Sequence, residues 1–210
     1  MQSKKEVSVL LGYSGHGLVV AEAAFLMGVQ IYGYAGPRRE RENPFELKFL
    51  GDESDANFNW NVCHSYILGV GSNVLRKKIA DRVYKMGGTC MTIIHPDSFL
   101  SKSTMIEEGV FIARNVVTNP FVLIGKNSIL NTSCSVDHEC LIGENVHIAP
   151  GAVLAGNVTV KDGAFIGANA VIKQGVVIGR NAIIGAGSVV LKNVDDSLLV
   201  AGNPANIISK

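Results

Sequence analysis

A large aliphatic residue returns every sixth position along more than half of the chain, from Ile94 through Leu100, Ile106, Ile112, Ile124, Leu130, Val136 and Ile142 to Val190. Read in sixes, Ile94 to Asp195 scans without an insertion into seventeen hexads, and only Thr118 breaks the aliphatic rule at the first position. The fifth position is small or β-branched each time, from Ser98 and Thr104 through Cys134, Cys140 and Ala152 to Ser188 and Val194. The fourth is Gly or Asn in twelve of the seventeen. An amphipathic helix has period 3.6 and cannot hold a six-residue register for this long. A large and a small inward residue per hexad instead fill a narrow prism, and Gly or Asn tolerates the left-handed backbone with which a short strand turns a corner. The pattern predicts a parallel β-helix, one hexad per face of a three-sided coil and eighteen residues per turn. Stacked at the inter-strand spacing, nearly six coils make a rod of roughly 27 Å.

The first ninety residues follow a different rhythm. Val7–Leu11 is a continuous apolar run of the kind a buried parallel strand requires. A glycine turn, Gly12-Tyr13-Ser14-Gly15-His16-Gly17, leads into a helix expected over Leu18–Met27 and ended by Gly28. Val29–Ala35 reads as a second strand, 36–55 as a polar loop with one helical turn at most, Tyr66–Val70 as a third strand, and Asn73–Met86 as a helix carrying Arg76, Lys77 and Lys78. Strand, turn, helix, strand is βαβ logic. The expected organisation is therefore a small three-layer, Rossmann-like α/β domain over 1–92, a β-helix over 93–195, and a capping tail over 196–210 that holds the turn Gly202-Asn203-Pro204-Ala205.

Composition removes several classes of function. A formal net charge of +1 with 18% charged residues gives no basic footprint for nucleic acid or a membrane surface. No apolar run approaches transmembrane length. Lys4 and Lys5 precede only a short apolar stretch ending at Gly12, too short for a signal peptide. The four cysteines show no CxxC spacing, and Cys134 with Cys140 falls on consecutive inward positions, so a reducing cytoplasm is the expectation. The glycine turn has the spacing GxxGxG rather than GxGxxG, and no acidic residue ends the second strand to hold a ribose. That argues against a dinucleotide, yet glycines opening a helix still present backbone N–H groups suited to a phosphate.

The candidate chemistry lies where the repeat breaks its own rule. Phe121, Ser133 and Glu139 occupy the fourth slot in three of four consecutive hexads, and Asp137, His138 and Glu139 crowd one corner. Eighteen residues on, Gly156 stands over His138, which is expected to leave room there for a ligand. Acyl transfer to an amine or hydroxyl needs a base, and histidine titrates near the working pH. A neighbouring carboxylate can orient the ring, and a backbone N–H near Gly156 could stabilise the oxyanion. A zinc site would need converging histidines, but His138 and His147 are one and a half faces apart, and His16, His64 and His95 lie elsewhere.

Gly12-Tyr13-Ser14-Gly15-His16-Gly17, Gly71-Ser72-Asn73 with Leu75-Arg76-Lys77-Lys78-Ile79, Ile129-Leu130-Asn131-Thr132, Asp137-His138-Glu139 and the terminal Gly202-Asn203-Pro204-Ala205 together span nearly the whole chain. In this combination the sequence resembles the hexapeptide-repeat sugar acetyltransferases typified by the bacillosamine-pathway UDP-4-amino-sugar N-acetyltransferase, with sialic acid O-acetyltransferases as relatives. The resemblance implies a left-handed β-helix, acetyl-CoA as co-substrate, no metal, and N-acetylation of a nucleotide-linked 4-amino-4,6-dideoxy sugar, UDP-linked with dTDP- and GDP-linked sugars as alternatives, for surface glycan, glycoprotein or lipopolysaccharide biosynthesis. It implies His138 as base with Glu139 beside it, supported by Asn131 and Asp137. It assigns His147, Gly156, Ala168 and Ala186 to acetyl-CoA, and Ser14, Gly15, His16, Gly71 and Asn73 to the nucleotide sugar. It further implies a homotrimer with each active site between neighbouring β-helices. Two other readings are O-acetylation of a free sugar acid such as sialic acid and a non-catalytic sugar-nucleotide-binding trimer. One departure bears on the nucleotide: the family's acidic pair after the second strand is replaced by Tyr34-Ala35-Gly36, followed by Pro37-Arg38-Arg39.

Overall fold

The structure is a computed structural model that describes residues 7–209; Lys4 and Lys5 lie outside the described residues. Five parallel strands form the first sheet: β1 (Val7–Leu11), β2 (Gln30–Ala35), β3 (Lys48–Phe49), β4 (Ser65–Leu68) and β5 (Thr89–Cys90), in the order β3-β2-β1-β4-β5. Two helices, α1 (Gly15–Leu26) and α2 (Asn73–Lys85), cover opposite faces. Alternation along β1 explains how: Leu10 packs with Val20, Ala21 and Ala24 of α1, while Val9 and Leu11 pack with Ile79, Ala80 and Val83 of α2. Helix α1 begins three residues before the expected Leu18, because Ser14 takes an extended N-cap conformation and the small Gly15-His16-Gly17 run continues into the helix. Gly17 is required there, since a Cβ would stand 2.3 Å from the Gly12 carbonyl oxygen. The expected loop over 36–55 contains β3, and a 3-10 turn at Trp60–Val62 precedes β4.

From Ile93 onward, two-residue strands build a three-sided parallel solenoid. The first face contains Ile93–Ile94, Phe111–Ile112, Ile129–Leu130, His147–Ile148, Phe165–Ile166 and Ile183–Ile184; the second runs from Phe99–Leu100 to Val189–Val190; the third runs from Met105–Ile106 to Val177–Ile178. Partners are eighteen residues apart, as in Ile93 with Phe111 and Ile129 with His147. From Ile112 onward the first-position side chains are buried together with the small fifth-position residues, while Ile94, Leu100 and Ile106 in the first coil are partly buried. Each such aliphatic contributes roughly 1.5–3 kcal/mol by burial. Thr118, the one polar residue in that row, is also buried, and its Oγ1 lies 2.7 Å from Thr104 Oγ1, so its hydroxyl is satisfied from within the prism.

The fourth slot behaves as its chemistry requires. All fourteen fourth positions from Gly109 to Gly187 have positive φ, with the asparagines between 53° and 58°. Phe121 (63°), Ser133 (58°) and Glu139 (60°) are held in this same left-handed conformation although they are neither Gly nor Asn. An aromatic or acidic residue pays for that backbone with strain, which fits positions retained for another purpose.

The repeat ends earlier than a scan to Asp195 suggests. Ile178 bridges Val194 and Ile183 pairs with Leu199, both sixteen residues apart rather than eighteen. Val194 therefore follows the first-position residue Ile178 instead of occupying a fifth position, because two residues drop out after Val190. The expected tail adds strands Leu199–Gly202 and Ala205–Ser209, an antiparallel pair closing the first face.

Helix α1 packs on the first face at Ile93–Ile94. Its apolar side chains form one continuous core with the solenoid interior, so the two parts of the chain share a single buried cluster.

Candidate active site

The predicted site residues fall on two corners of the prism, in one buried network and at one exposed cleft. The corner between the second and third faces carries His138 and Glu139. His138 Nδ1 lies 3.0 Å from Glu139 Oε2, and the two side chains are 45% and 62% exposed. A carboxylate can only accept, so Nδ1 donates to it, and Nε2 has no hydrogen-bond partner among the described residues. Asp137 does not touch the ring. Its Oδ1 accepts from Asn119 Nδ2 at 2.6 Å and from the His138 backbone N–H at 2.7 Å. These hydrogen bonds, that from Asn119 first, hold the Asp137 carboxyl below the usual carboxylate range.

Gly156 stands one coil above, though not over empty space. A Cβ there would lie 2.5 Å from both Cε1 and Nε2 of His138, so this edge of the imidazole occupies the space a side chain would need. The expected gap is instead a contact that only glycine permits. One coil below His138 the same corner carries Phe121, which is 67% exposed. Its backbone N–H donates to Ser103 Oγ, one coil further down, at 3.0 Å.

Asn131, Ala168 and Ala186 lie on another corner, between the first and second faces, where the Gly187 N–H donates to the Ala168 carbonyl at 2.8 Å. His138 and Asn131 thus bracket the second face from opposite sides. That face exposes an apolar row of Phe99, Val117, Val153 and Val171.

His147 belongs to the network. It sits on the first face at 8% exposure, with Nδ1 3.1 Å from the Gly71 carbonyl and Nε2 3.1 Å from Asn131 Nδ2. A carbonyl only accepts, so Nδ1 carries the proton and Nε2 accepts from the Asn131 amide, whose Oδ1 receives the Thr132 N–H at 2.8 Å. His16 lies alongside, its ring centroid 6.0 Å from that of His147 and 5.4 Å from that of Phe111. Its buried Nε2 has no hydrogen-bond partner among the described residues. Burial pushes both histidines down to about 4; for His16 the neighbouring His147 and Arg76 add to the effect, and for His147 Arg76 does, against an opposing pull from the Gly71 carbonyl. Asn73 is fully engaged: its amide donates to the carbonyls of Gly163 (2.9 Å) and Ala164 (3.0 Å), and its Oδ1 accepts from Arg76 (2.9 Å).

Ser14 and Gly15 are separated from His16. They open α1 at an exposed cleft of about 550 Å³ shared with Arg38, Arg39 and Arg41. The Ser14 side chain makes no cap hydrogen bond, so its hydroxyl and the first helix N–H groups line this cleft with three arginines and with Glu40 and Glu42 between them. On the other side of β1, a cleft of about 220 Å³ at the ends of β1, β2 and β4 is lined by Gly12, Gly36 and Val70 together with Asp52, Glu53, Lys78 and Arg82, where Glu53 pairs with Arg82 at 3.5 Å. Carboxylates thus reach this crevice from the segment after β3 rather than from the end of β2.

Among the described residues, no three His, Cys, Asp or Glu side chains converge to hold a metal, and no helix is long and apolar enough to cross a membrane. Two features escaped the sequence reading. Arg76 is buried at 1% exposure and holds the network together. Asn119 was missed although it stands eighteen residues before Asp137, the same one-coil offset that places Gly156 by His138.

Residues 121–156 and 157–192 match the bacterial transferase hexapeptide model of six repeats, and residues 9–83 match the PglD N-terminal domain. The acetyltransferase domain of PglB from Neisseria gonorrhoeae is 29% identical, with a TM-score of 0.89, covering 97% of this chain and 100% of that one; it is also known in complex with acetyl coenzyme A. A histidine variant of perosamine N-acetyltransferase from Caulobacter crescentus, in complex with CoA and GDP-perosamine, is 30% identical with a TM-score of 0.90, covering 99% of each chain. WeeI from Acinetobacter baumannii is 26% identical with a TM-score of 0.85, covering 97% of this chain and 100% of that one. With both halves matched and the likeness extending end to end, the chain belongs to the family of hexapeptide-repeat sugar N-acetyltransferases.

Proposed function

We propose that this protein transfers the acetyl group of acetyl-CoA to the 4-amino group of a nucleotide-linked 4-amino-4,6-dideoxy sugar, in the cytoplasm, as a step in building surface glycans. The observation that carries this reading is the His138–Glu139 pair, with Nδ1 spent on the carboxylate, Nε2 uncommitted, and the ring seated on Gly156. His138 Nε2 takes the proton as the amine nitrogen attacks the thioester carbonyl, and Glu139 stabilises the imidazolium that forms. The oxyanion is stabilised by backbone N–H near Gly156. Collapse breaks the C–S bond, and the imidazolium returns its proton to the departing thiolate, leaving the amide and free CoA.

Ser14 and Gly15, with the arginine-lined cleft beside them, suit the diphosphate. Asp52 and Glu53 provide acceptors for base N–H groups that the end of β2 lacks. Acetyl-CoA lies along the corner of Asn131, Ala168 and Ala186, close to His147. That corner and the His138 corner belong to the same face, so a single chain does not bring them together. A homotrimer in which the His138 corner of one copy meets the Asn131 corner of the next completes the site and covers the apolar row on the second face.

The test is thiol release from acetyl-CoA with UDP-, dTDP- and GDP-linked 4-amino-4,6-dideoxy sugars, and free sialic acid as a control. Turnover with one nucleotide sugar is expected and names the base. Turnover with sialic acid alone replaces the reading by O-acetylation, and acetyl-CoA binding without turnover on any acceptor leaves a non-catalytic trimer.

A further inference from the structure

We propose that Arg76 is a positioning residue that ties the loop at Gly71 to the solenoid and thereby fixes the tautomer and orientation of His147 and, through it, the Asn131 amide. The kinetic part of this proposal rests on the acetyl-transfer reading above; the structural part does not. Six acceptors surround the five N–H donors of the guanidinium, two of them sharing one Nη2 hydrogen: Nε faces the Asn127 carbonyl (2.7 Å), Nη1 those of Val70 (3.2 Å) and Gly71 (3.1 Å), and Nη2 Asn73 Oδ1 (2.9 Å) and the carbonyls of Asn145 (3.0 Å) and Val146 (3.1 Å). Asn73 extends the clamp to Gly163 and Ala164. Three successive coils are therefore held at the corner between the third and first faces, and the loop after β4 is held with them.

The Gly71 carbonyl is the pivot. It receives Arg76 Nη1 on one side and His147 Nδ1–H on the other, which uses both of its lone pairs. From there His147 Nε2 accepts the Asn131 amide, and Asn131 faces the corner of Ala168 and Ala186. The line of contact therefore runs from a helix of the α/β part to the proposed acetyl-CoA corner without a gap. An unpaired buried cation is a poor choice for packing alone, since a hydrophobic residue of similar volume avoids the desolvation cost. Among the described residues Arg76 has no carboxylate partner, and burial lowers it to about 9, leaving it charged at neutral pH. What the guanidinium supplies, and neither an apolar residue nor lysine can, is a rigid fork with five donors.

Two readouts on the full-length protein test this. Long-range proton–nitrogen correlation of the imidazoles is expected to show His147 as the Nδ1–H tautomer in the wild type. An Nε2–H tautomer overturns the proposal with no variant needed. In Arg76→Lys, which keeps the charge but loses the fork, the His147 tautomers are expected to mix while kcat/KM for acetyl-CoA falls about 10²-fold. A merely structural role would lower the melting temperature and leave the tautomer unchanged. If Arg76→Lys does not fold, Asn73→Ser releases one arm of the clamp and is expected to shift the same signals. A folded variant with wild-type tautomer and wild-type kcat/KM contradicts the proposal. Absence of acetyl transfer in the wild type would remove the enzymatic reading but leave the tautomer result to decide the role of Arg76.

Discussion

Two histidines nine residues apart have been given opposite circumstances by the same solenoid. His138 stands on a corner, nearly half exposed, with one nitrogen on a carboxylate and the other uncommitted. His147 lies on a face under the α/β part at 8% exposure, with both nitrogens engaged and its protonated form disfavoured by burial down to about 4. A corner residue projects past the prism and stays wet, whereas a face residue is covered by whatever packs on that face. On the mechanism proposed above, the first ring exchanges a proton and the second holds its neighbours in place. Position within the eighteen-residue turn, not residue type, separates the two roles.

The largest effect is expected at the exposed ring. His138→Ala should cut turnover by roughly 10²–10⁴, the usual contribution of a positioned base, while melting temperature and acetyl-CoA binding stay unchanged; steady-state kinetics beside a thermal melt separates the two. Gly156→Ala comes next. Its methyl would drive into the imidazole, and moving the ring is expected to cost about 10² in kcat with the fold intact by circular dichroism.

The buried histidines should appear in stability instead. Between pH 6.5 and about 4 the unfolded chain binds protons at His16 and His147 that the folded chain excludes. Unfolding free energy should therefore fall as pH drops through that window and show no contribution from these groups above it. The slope is at most about 1.4 kcal/mol per pH unit for each histidine. Denaturant titrations of His147→Gln across the window should show a shallower decline. The smallest effect concerns the strain at Glu139. Glu139→Asn relieves a left-handed acidic residue and should raise stability by up to about 1 kcal/mol while lowering turnover, an exchange visible by comparing melts with kinetics.

Much of this was readable in the chain because period six admits few structures. The hexads placed the strands, and their fourth slots marked the turns. The exceptions were visible but not their arrangement. Ser103, Phe121 and Glu139 are scattered along the sequence and become neighbours only when the chain is wound at eighteen residues per turn. Arg76 was concealed by Lys77 and Lys78, a run that reads as a solvated face. The signal was present nonetheless, since Arg76 keeps helical register with Ile79, Ala80 and Val83, the buried side of α2. The contraction after Val190 left no trace, because Val194 satisfies either a first or a fifth position. Strand β3 is two residues long and follows a polar loop, too short for any periodicity to register.

The central claim is that His138 is the group that moves the proton and His147 is not. Its most direct test is chemical rescue: turnover of His138→Ala and His147→Ala with a productive nucleotide sugar, measured against increasing free imidazole. The corner of His138 is open, so added imidazole should restore turnover to His138→Ala in a saturable manner and leave His147→Ala unaffected. Wild-type turnover in His138→Ala without imidazole, or rescue of His147→Ala instead, would contradict the account.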